Sequence, residues 1–219
     1  MRNQLASLKT AVMPLVFVNI IFFILQILFK EQFTSSLVLI STDIFTRPWI
    51  LLTHMFLHGG GEHIFFNMFG LVMFGPILEE KIGAARFLMV YIGSGIIAAI
   101  IYSLFHLAIG ARVSALGASG AIMGMLGTLI ILLPQLRLLL FFAIPMPLWF
   151  AGILWAAIDI WGVFFPSGTG NLAHLVGLCC GLLFGLYLKN KQKKFHKKFK
   201  KKQHISEDDF KEYMKTGRI

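Results

Sequence analysis

The stretch Gly117-Ala118-Ser119-Gly120-Ala121-Ile122-Met123-Gly124-Met125-Leu126-Gly127-Thr128-Leu129-Ile130-Ile131-Leu132-Leu133-Pro134 carries no charge along its whole length. From Ser119 to Leu133 the residues are apolar or small, and Pro134, which cannot continue a helix, ends the run. A helix over Ser119–Leu133 would be about 22 Å long, roughly 8 Å short of a ~30 Å hydrocarbon core. Irregular backbone must therefore lie above Ser119, and inside a bilayer such backbone is tolerated only when buried in protein or lining a wet cavity. This stretch predicts a serine at a helix start, sunk below a membrane surface and opening on water.

The rest of the chain agrees with a membrane setting. Of 219 residues, 57% are hydrophobic and only 14% are charged, with a mean hydropathy of +0.78. A soluble domain is about half apolar and a quarter charged; here the charges are too few to cover a surface in water. The formal net charge of +10 is local. Residues 189–219 hold 12 of the 20 Lys and Arg and 4 of the 10 acids, which leaves +2 for the preceding 188 residues and gives nucleic-acid binding no support. The chain divides into a membrane body, 1–188, and a basic, cytoplasmic C-terminal tail, 189–219. The run from Lys189 to Lys202, with Phe195 and Phe199 interleaved, directly follows an apolar segment. Such a run is drawn to anionic headgroups by roughly 1 kcal/mol per Lys; a solvated tail that fixes topology is the simpler alternative. Ser206 followed by Asp209 has the form of a capping box and predicts a short helix there. Cys179 and Cys180, the only cysteines, are adjacent and read as small packing residues. The first apolar stretch is too long for a cleavable signal and lacks a small-residue cleavage site.

Six apolar segments can be drawn: Val12–Phe29, His63–Leu78, Phe87–Ile109, Ser119–Leu133, Leu138–Ile158 with a start bent or delayed by Pro145 and Pro147, and Leu172–Leu188. Each approximates a span, and backbone that must satisfy its own hydrogen bonds in lipid makes helices of them. The expected fold is all-α, a polytopic six-transmembrane-helix bundle. Arg2, Lys9, Lys81, Arg86, Arg137 and the lysine tail fall on one side of such a bundle; Lys30, Arg47 and Arg112 fall on the other. The positive-inside rule puts both termini in the cytoplasm of a cell-membrane protein.

Polar residues inside this body carry the chemistry. His54, His58, His63 and Asn67 cluster at the start of the second span, with His63 and Asn67 one helical turn apart on one face. Three readings compete: interhelical hydrogen bonding, metal ligation by His54, His58 and His63, and an oxyanion hole in which His and Asn donate to a developing negative charge. The metal reading lacks the acid or Cys of a typical zinc set. Gly117-Ala118-Ser119-Gly120 could serve close helix packing alone; as a site it would expose the hydroxyl beside free backbone N–H groups. Serine is a weak nucleophile that needs a base within hydrogen-bond reach. His174, near the head of the last span, is the candidate. Gly120, Gly124 and Gly127 on one helix and Gly177, Gly181 and Gly185 on the other supply small faces that let the two backbones approach. Asp159 is the one conceivable acid for orienting His174, and the reading sets it aside in favour of a Ser119–His174 dyad, with no metal and no cofactor.

These residues resemble the rhomboid intramembrane serine proteases over the six-span body, about residues 10–188. The resemblance rests on His58, His63 and Asn67 in an H-x-x-x-x-H-x-x-x-N pattern, on Gly117-Ala118-Ser119-Gly120 as G-x-S-G, and on Ala173-His174 with Gly177 and Gly181. It implies Ser119 as nucleophile, His174 as general base and then acid, and an oxyanion hole from His63, Asn67 and the Ser119 N–H. It implies substrates that are single-span membrane proteins, cut near their outer end beside a small residue. The bent fifth span would be a lateral gate and Phe164-Phe165-Pro166-Ser167-Gly168 a cap. Glu79 matches the acid that ends the family's second helix. The usual Trp-Arg pair of the first outer loop stands here as Trp49-Ile50, with Arg47 two residues earlier, a departure that bears on how the loop is anchored. The rival readings are a non-catalytic rhomboid-like protein that binds membrane clients and a metal-dependent membrane hydrolase or transporter.

Overall fold

The structure is a computed structural model, which describes residues 10–140, 144–165 and 170–201 together with 208, 209, 212 and 216; of residues 139, 140, 144 and 196–201 it describes the backbone alone. Helix α1 (Val12–Leu37) leads into a short strand β1 (Leu39–Ile40), a 3-10 turn, a one-turn helix α2 (Ile50–Thr53) and a second 3-10 turn. Then come α3 (Gly61–Ile82), α4 (Ala84–Ala108), β2 (Ser114–Ala115), α5 (Ser119–Leu132), the strands β3 (Arg137–Leu140) and β4 (Ile144–Pro147), α6 (Leu148–Phe164) and α7 (Asn171–Lys201). Among the described residues, α1, α3, α4 and the Asn171–Phe195 part of α7 are long and apolar enough to cross a membrane, whereas α5 and α6 are apolar but shorter.

Helix α5 is the axis. Every residue from Gly120 to Leu129 is buried, as expected of a helix that is apolar all round and wrapped by others. Its closest neighbour is α7, and the reason lies in the glycines. A Cβ at Gly177 would strike the carbonyl of Gly120, and one at Gly181 would strike the carbonyl of Gly124. Thr128 Oγ1 lies 3.1 Å from the Gly181 carbonyl oxygen and 3.0 Å from that of Gly124, so its one O–H can donate across the interface or back to its own helix.

The helix ends explain how the outer elements are held. The first N–H groups of a helix lack partners within it. Glu79, buried at the end of α3, accepts from the backbone N–H of Ala11 at 2.6 Å and of Val12 at 3.3 Å, so an acid on α3 caps α1. At the other end of α1 the orphan carbonyls are taken by the first loop: Arg47 Nη1 donates to Ser35 O at 3.0 Å, Trp49 Nε1 to Ser36 O at 3.1 Å and Thr53 Oγ1 to Leu37 O at 2.8 Å. Arg47 also pairs with Asp43 at 2.6 Å, and hydrogen bonds from Thr42 and Arg47 hold the Asp43 carboxyl below the usual carboxylate range. The loop is thus anchored by Arg47 from its shifted position, two residues before Trp49.

Three expectations change in detail. The first apolar run breaks at Lys30, where the backbone is non-helical (φ 50°, ψ −133°), next to its expected end at Phe29, but the polar stretch that follows resumes as helix to Leu37. The helix of the fifth segment starts late, the delay that Pro145 and Pro147 imply, and an unexpected hairpin stands before it. Residues 137–140 pair antiparallel with 144–147, and α6 begins only after Pro147, because Pro145 and Pro147 lack the N–H groups a helix interior needs. The last segment runs past Leu188 without interruption to Lys201, so the boundary drawn at 188/189 falls inside a helix. The capping-box helix from Ser206 and the Pro166-Ser167-Gly168 part of the proposed cap lie outside the described residues.

Removing the Glu79 cap leaves buried N–H groups unpaired. Glu79→Ala should cost about 1–3 kcal/mol of stability, while Glu80→Ala, at an exposed position, should stay within about 0.5 kcal/mol. Equilibrium unfolding in mixed micelles measures both.

Candidate active site

The site is assembled at the head of α5. Gly117 precedes it with φ +120°, a backbone that side-chain-bearing residues rarely adopt, and its N–H donates to His54 O at 2.9 Å. A Cβ at Gly117 would sit 2.7 Å from His63 Nε2. The absent side chain lets the His63 ring approach the turn that presents Ser119. The first loop is tied to this same turn from the other side, where β1 pairs with β2 as Leu39↔Ala115 and Ile40↔Ser114.

Ser119 Oγ lies 2.7 Å from His174 Nε2. Both side chains are half-buried. On its far side the His174 ring meets a residue that the sequence reading had set aside: Asp159 Oδ1 is 3.0 Å from Nδ1. A carboxylate oxygen accepts, so Nδ1 carries the proton and Nε2 keeps the lone pair, the tautomer that can take a proton from Ser119. Asn171 Nδ2 donates to the same Asp159 oxygen at 2.9 Å, and both Asp159 and Asn171 are buried. The expectation of a serine–histidine pair with no acid partner is therefore corrected in its geometry. A signal existed. Asp159 is the one acid between Glu80 and Glu207 and directly follows the fifth apolar segment, and an acid inside an apolar helix needs a partner by default. Asn171, one turn before His174 on α7, was not singled out at all.

The other predicted residues occupy the opposite wall. The Gly59 N–H donates to His63 Nδ1 at 3.2 Å. The acceptor nitrogen is unprotonated, so the neutral ring carries its proton on Nε2, the nitrogen that faces Gly117. Asn67 is buried, and one of its amide hydrogens goes to His63 O at 2.8 Å, leaving the second N–H of that amide as a further donor. His54 Nδ1 donates to Ile50 O at 2.9 Å, and burial pushes this imidazole down to about 4. Burial, aided by neighbouring His63, does the same to His58, again to about 4. The His58 ring stands edge-on to His63 with centroids 5.2 Å apart. Among the described residues no three His, Cys, Asp or Glu side chains are grouped so as to hold a metal ion.

Gln26, a polar residue inside the first apolar run, was also missed. Its side-chain oxygen accepts from His58 N at 2.8 Å and its amide donates to His58 O at 3.3 Å, clamping the loop next to Gly59.

Two cavities meet at Ser119. One, of about 960 Å³, has His54, His63, Tyr102, His106, Ser119 and His174 among its lining residues, alongside apolar ones. The second, of about 700 Å³, lies between α3 and α6 and is walled by Phe66, Phe69, Met73, Trp155, Trp161 and Phe165. Asn67, Ser119, Gly162, Asn171 and His174 line both. Ser119 and His174 thus stand in the wall shared by a chamber, the more polar of the two cavities, and an apolar groove.

Residues 46–191 match the Rhomboid domain family. The chain belongs to the rhomboid family. It is 32% identical over 166 residues to the putative rhomboid protease YdcA of Bacillus subtilis, an alignment that covers 67% of this chain and 71% of that one. It is also 32% identical over 163 residues to the mitochondrial Rhomboid protein 1 of Saccharomyces cerevisiae, covering 72% of this chain and 46% of the yeast protein. Over a shorter stretch of 85 residues it is 40% identical to the rhomboid protease GluP of Bacillus subtilis, 37% of this chain and 15% of that one. This rhomboid is an integral membrane protein by its family and its four long apolar helices.

The turn at Gly117 offers a clean test. Gly117→Ala combines a disfavoured φ with a collision at His63, and should destabilise the rhomboid by about 1–3 kcal/mol. At Gly60 an added Cβ meets nothing within 4 Å, so Gly60→Ala should stay within about 0.5 kcal/mol in the same unfolding measurement.

Proposed function

We propose that this rhomboid is an intramembrane serine endopeptidase that cuts single-span membrane proteins, with Ser119 as nucleophile and His174 as general base. One observation carries the reading: the 2.7 Å contact from Ser119 Oγ to a His174 Nε2 left free to accept, in the wall between the polar chamber and the apolar groove.

The steps follow from the geometry. His174 Nε2 takes the Ser119 proton as Oγ attacks the scissile carbonyl, and the carbonyl oxygen becomes an anion. Donors already aimed at such a charge lower its energy without reorganising: the Ser119 N–H at the open start of α5, the His63 Nε2–H and the second Asn67 amide N–H. The protonated His174 then gives its proton to the leaving amine. Water from the polar chamber attacks the acyl-serine with His174 again as base, and the acid product leaves with Ser119 restored.

The apolar groove between α3 and α6 suits an apolar helix entering sideways, which makes α6 the gate. A polytopic bundle of six helices, both termini cytoplasmic, agrees with the distribution of Lys and Arg. Residues 1–188 then form the protease body, and the lysine-rich end of α7 contacts anionic lipids of the cell membrane, with Lys189, Lys191, Lys193 and Lys194 exposed. The relative of which the chain spans the largest share among those named above is bacterial, which favours a cell membrane over a mitochondrial one.

In liposomes holding a reporter transmembrane substrate, Ser119→Ala and His174→Ala should abolish cleavage without unfolding the protein. Asn67→Ala should retain a residue of activity, lowered by roughly 10²–10³. A fluorophosphonate probe should label wild type and not Ser119→Ala. Cleavage at the wild-type rate in Ser119→Ala would refute the reading, and a folded but inert wild type would favour a client-binding role.

A further inference from the structure

The proposed mechanism uses a proton acceptor on α7 and leaves unexplained why α6, an apolar helix, carries a buried carboxylate. We infer that Asp159 is a positioning residue for His174, held in place by Asn171, so that the base is assembled from two helices rather than one. The inference rests on the proteolytic reading.

A bare carboxylate in an apolar helix is costly, so it must be partnered. Asp159 has two partners, both on α7 and three residues apart: the Asn171 amide at 2.9 Å and His174 Nδ1 at 3.0 Å, both to Oδ1. Asn171 is itself accommodated by a missing side chain, since a Cβ on Gly162 would collide with its amide. Gly162 and Asp159 are three apart on α6, as Asn171 and His174 are on α7, so two one-turn pairs interlock. A purely structural link between α6 and α7 would need only the Asn171 amide. The histidine contact adds two things. It selects the tautomer with Nε2 free, and it places a negative charge beside the ring that becomes positive when Ser119 gives up its proton. No proton passes to Asp159; it stays a carboxylate throughout.

The test separates this role from packing. Asp159→Asn keeps size and can keep neutral hydrogen bonds, and it removes the charge. Its kcat should fall by at least about tenfold, and that of Asp159→Ala by at least about a hundredfold, on the ~10²–10⁴ scale of general-base catalysis. KM for the reporter should stay within about twofold, because Asp159 adds nothing to substrate binding. The thermal midpoint of Asp159→Asn in micelles should match wild type. A second readout does not depend on variant folding: in ¹⁵N-histidine-labelled wild type, His174 should show a protonated Nδ1 with a low-field proton, retained in Ser119→Ala and lost in Asp159→Ala. Wild-type kcat in a stable Asp159→Asn, or an unprotonated Nδ1 in wild type, overturns the inference and leaves the proteolytic reading standing. Undiminished cleavage in Ser119→Ala would remove that reading, while the histidine spectrum would still decide the contact.

Discussion

Everything at the centre of this rhomboid depends on how closely α5 and α7 approach. At Gly177 and Gly181 the backbone of α7 lies against the carbonyls of Gly120 and Gly124 with no room for a methyl group. Lipid tails are as apolar as leucine, so two helices gain little in a bilayer by burying apolar side chains. What they gain comes from dispersion over a close contact and from hydrogen bonds such as Thr128 to Gly181. The same closeness places a short serine side chain within 2.7 Å of an imidazole on another helix. Packing and chemistry share one constraint.

Around that axis, buried polar groups are handled by lending. Helix α3 lends Glu79 to the start of α1; the first loop lends Arg47, Trp49 and Thr53 to its end. The Gln26 side chain lends both its groups to His58, beside the Gly59 N–H that sets the His63 tautomer. Each exchange links elements distant in sequence, and each satisfies a backbone group that lipid could not. The two walls of the site are consequently held by separate networks: the first loop for His63, and α6 with α7 for His174.

Much of this was legible in the sequence, and the exceptions have physical reasons. Uncharged runs bounded by charge or proline located the helices, and α5 was placed to within one residue because Pro134 stops it. The motif Gly117-Ala118-Ser119-Gly120 and the spacing from His63 to Asn67 pointed to residues that the structure gathers at the head of α5. The delayed start of α6 was signalled by Pro145 and Pro147, but the hairpin before it was not, since strand pairing depends on a partner segment that local composition does not reveal. The extension of α1 past Lys30 was hidden because helix there is paid for by caps from a loop ten or more residues away. Asp159 and His174 are fifteen residues apart on different helices. Their meeting depends on the angle between α6 and α7, which no periodicity encodes, so an acid visible in the sequence was passed over.

Helix α7 runs unbroken from His174 to Lys201, a rise of about 40 Å. A rod of that length has no hinge in which to lose a displacement. On the proposed reading, where the lysines settle against a headgroup layer sets how deep the imidazole rides, as a float sets the height of a weight hung beneath it. Bilayer thickness, surface charge and ionic strength at that layer would then become quantities felt at the contact between Ser119 and His174.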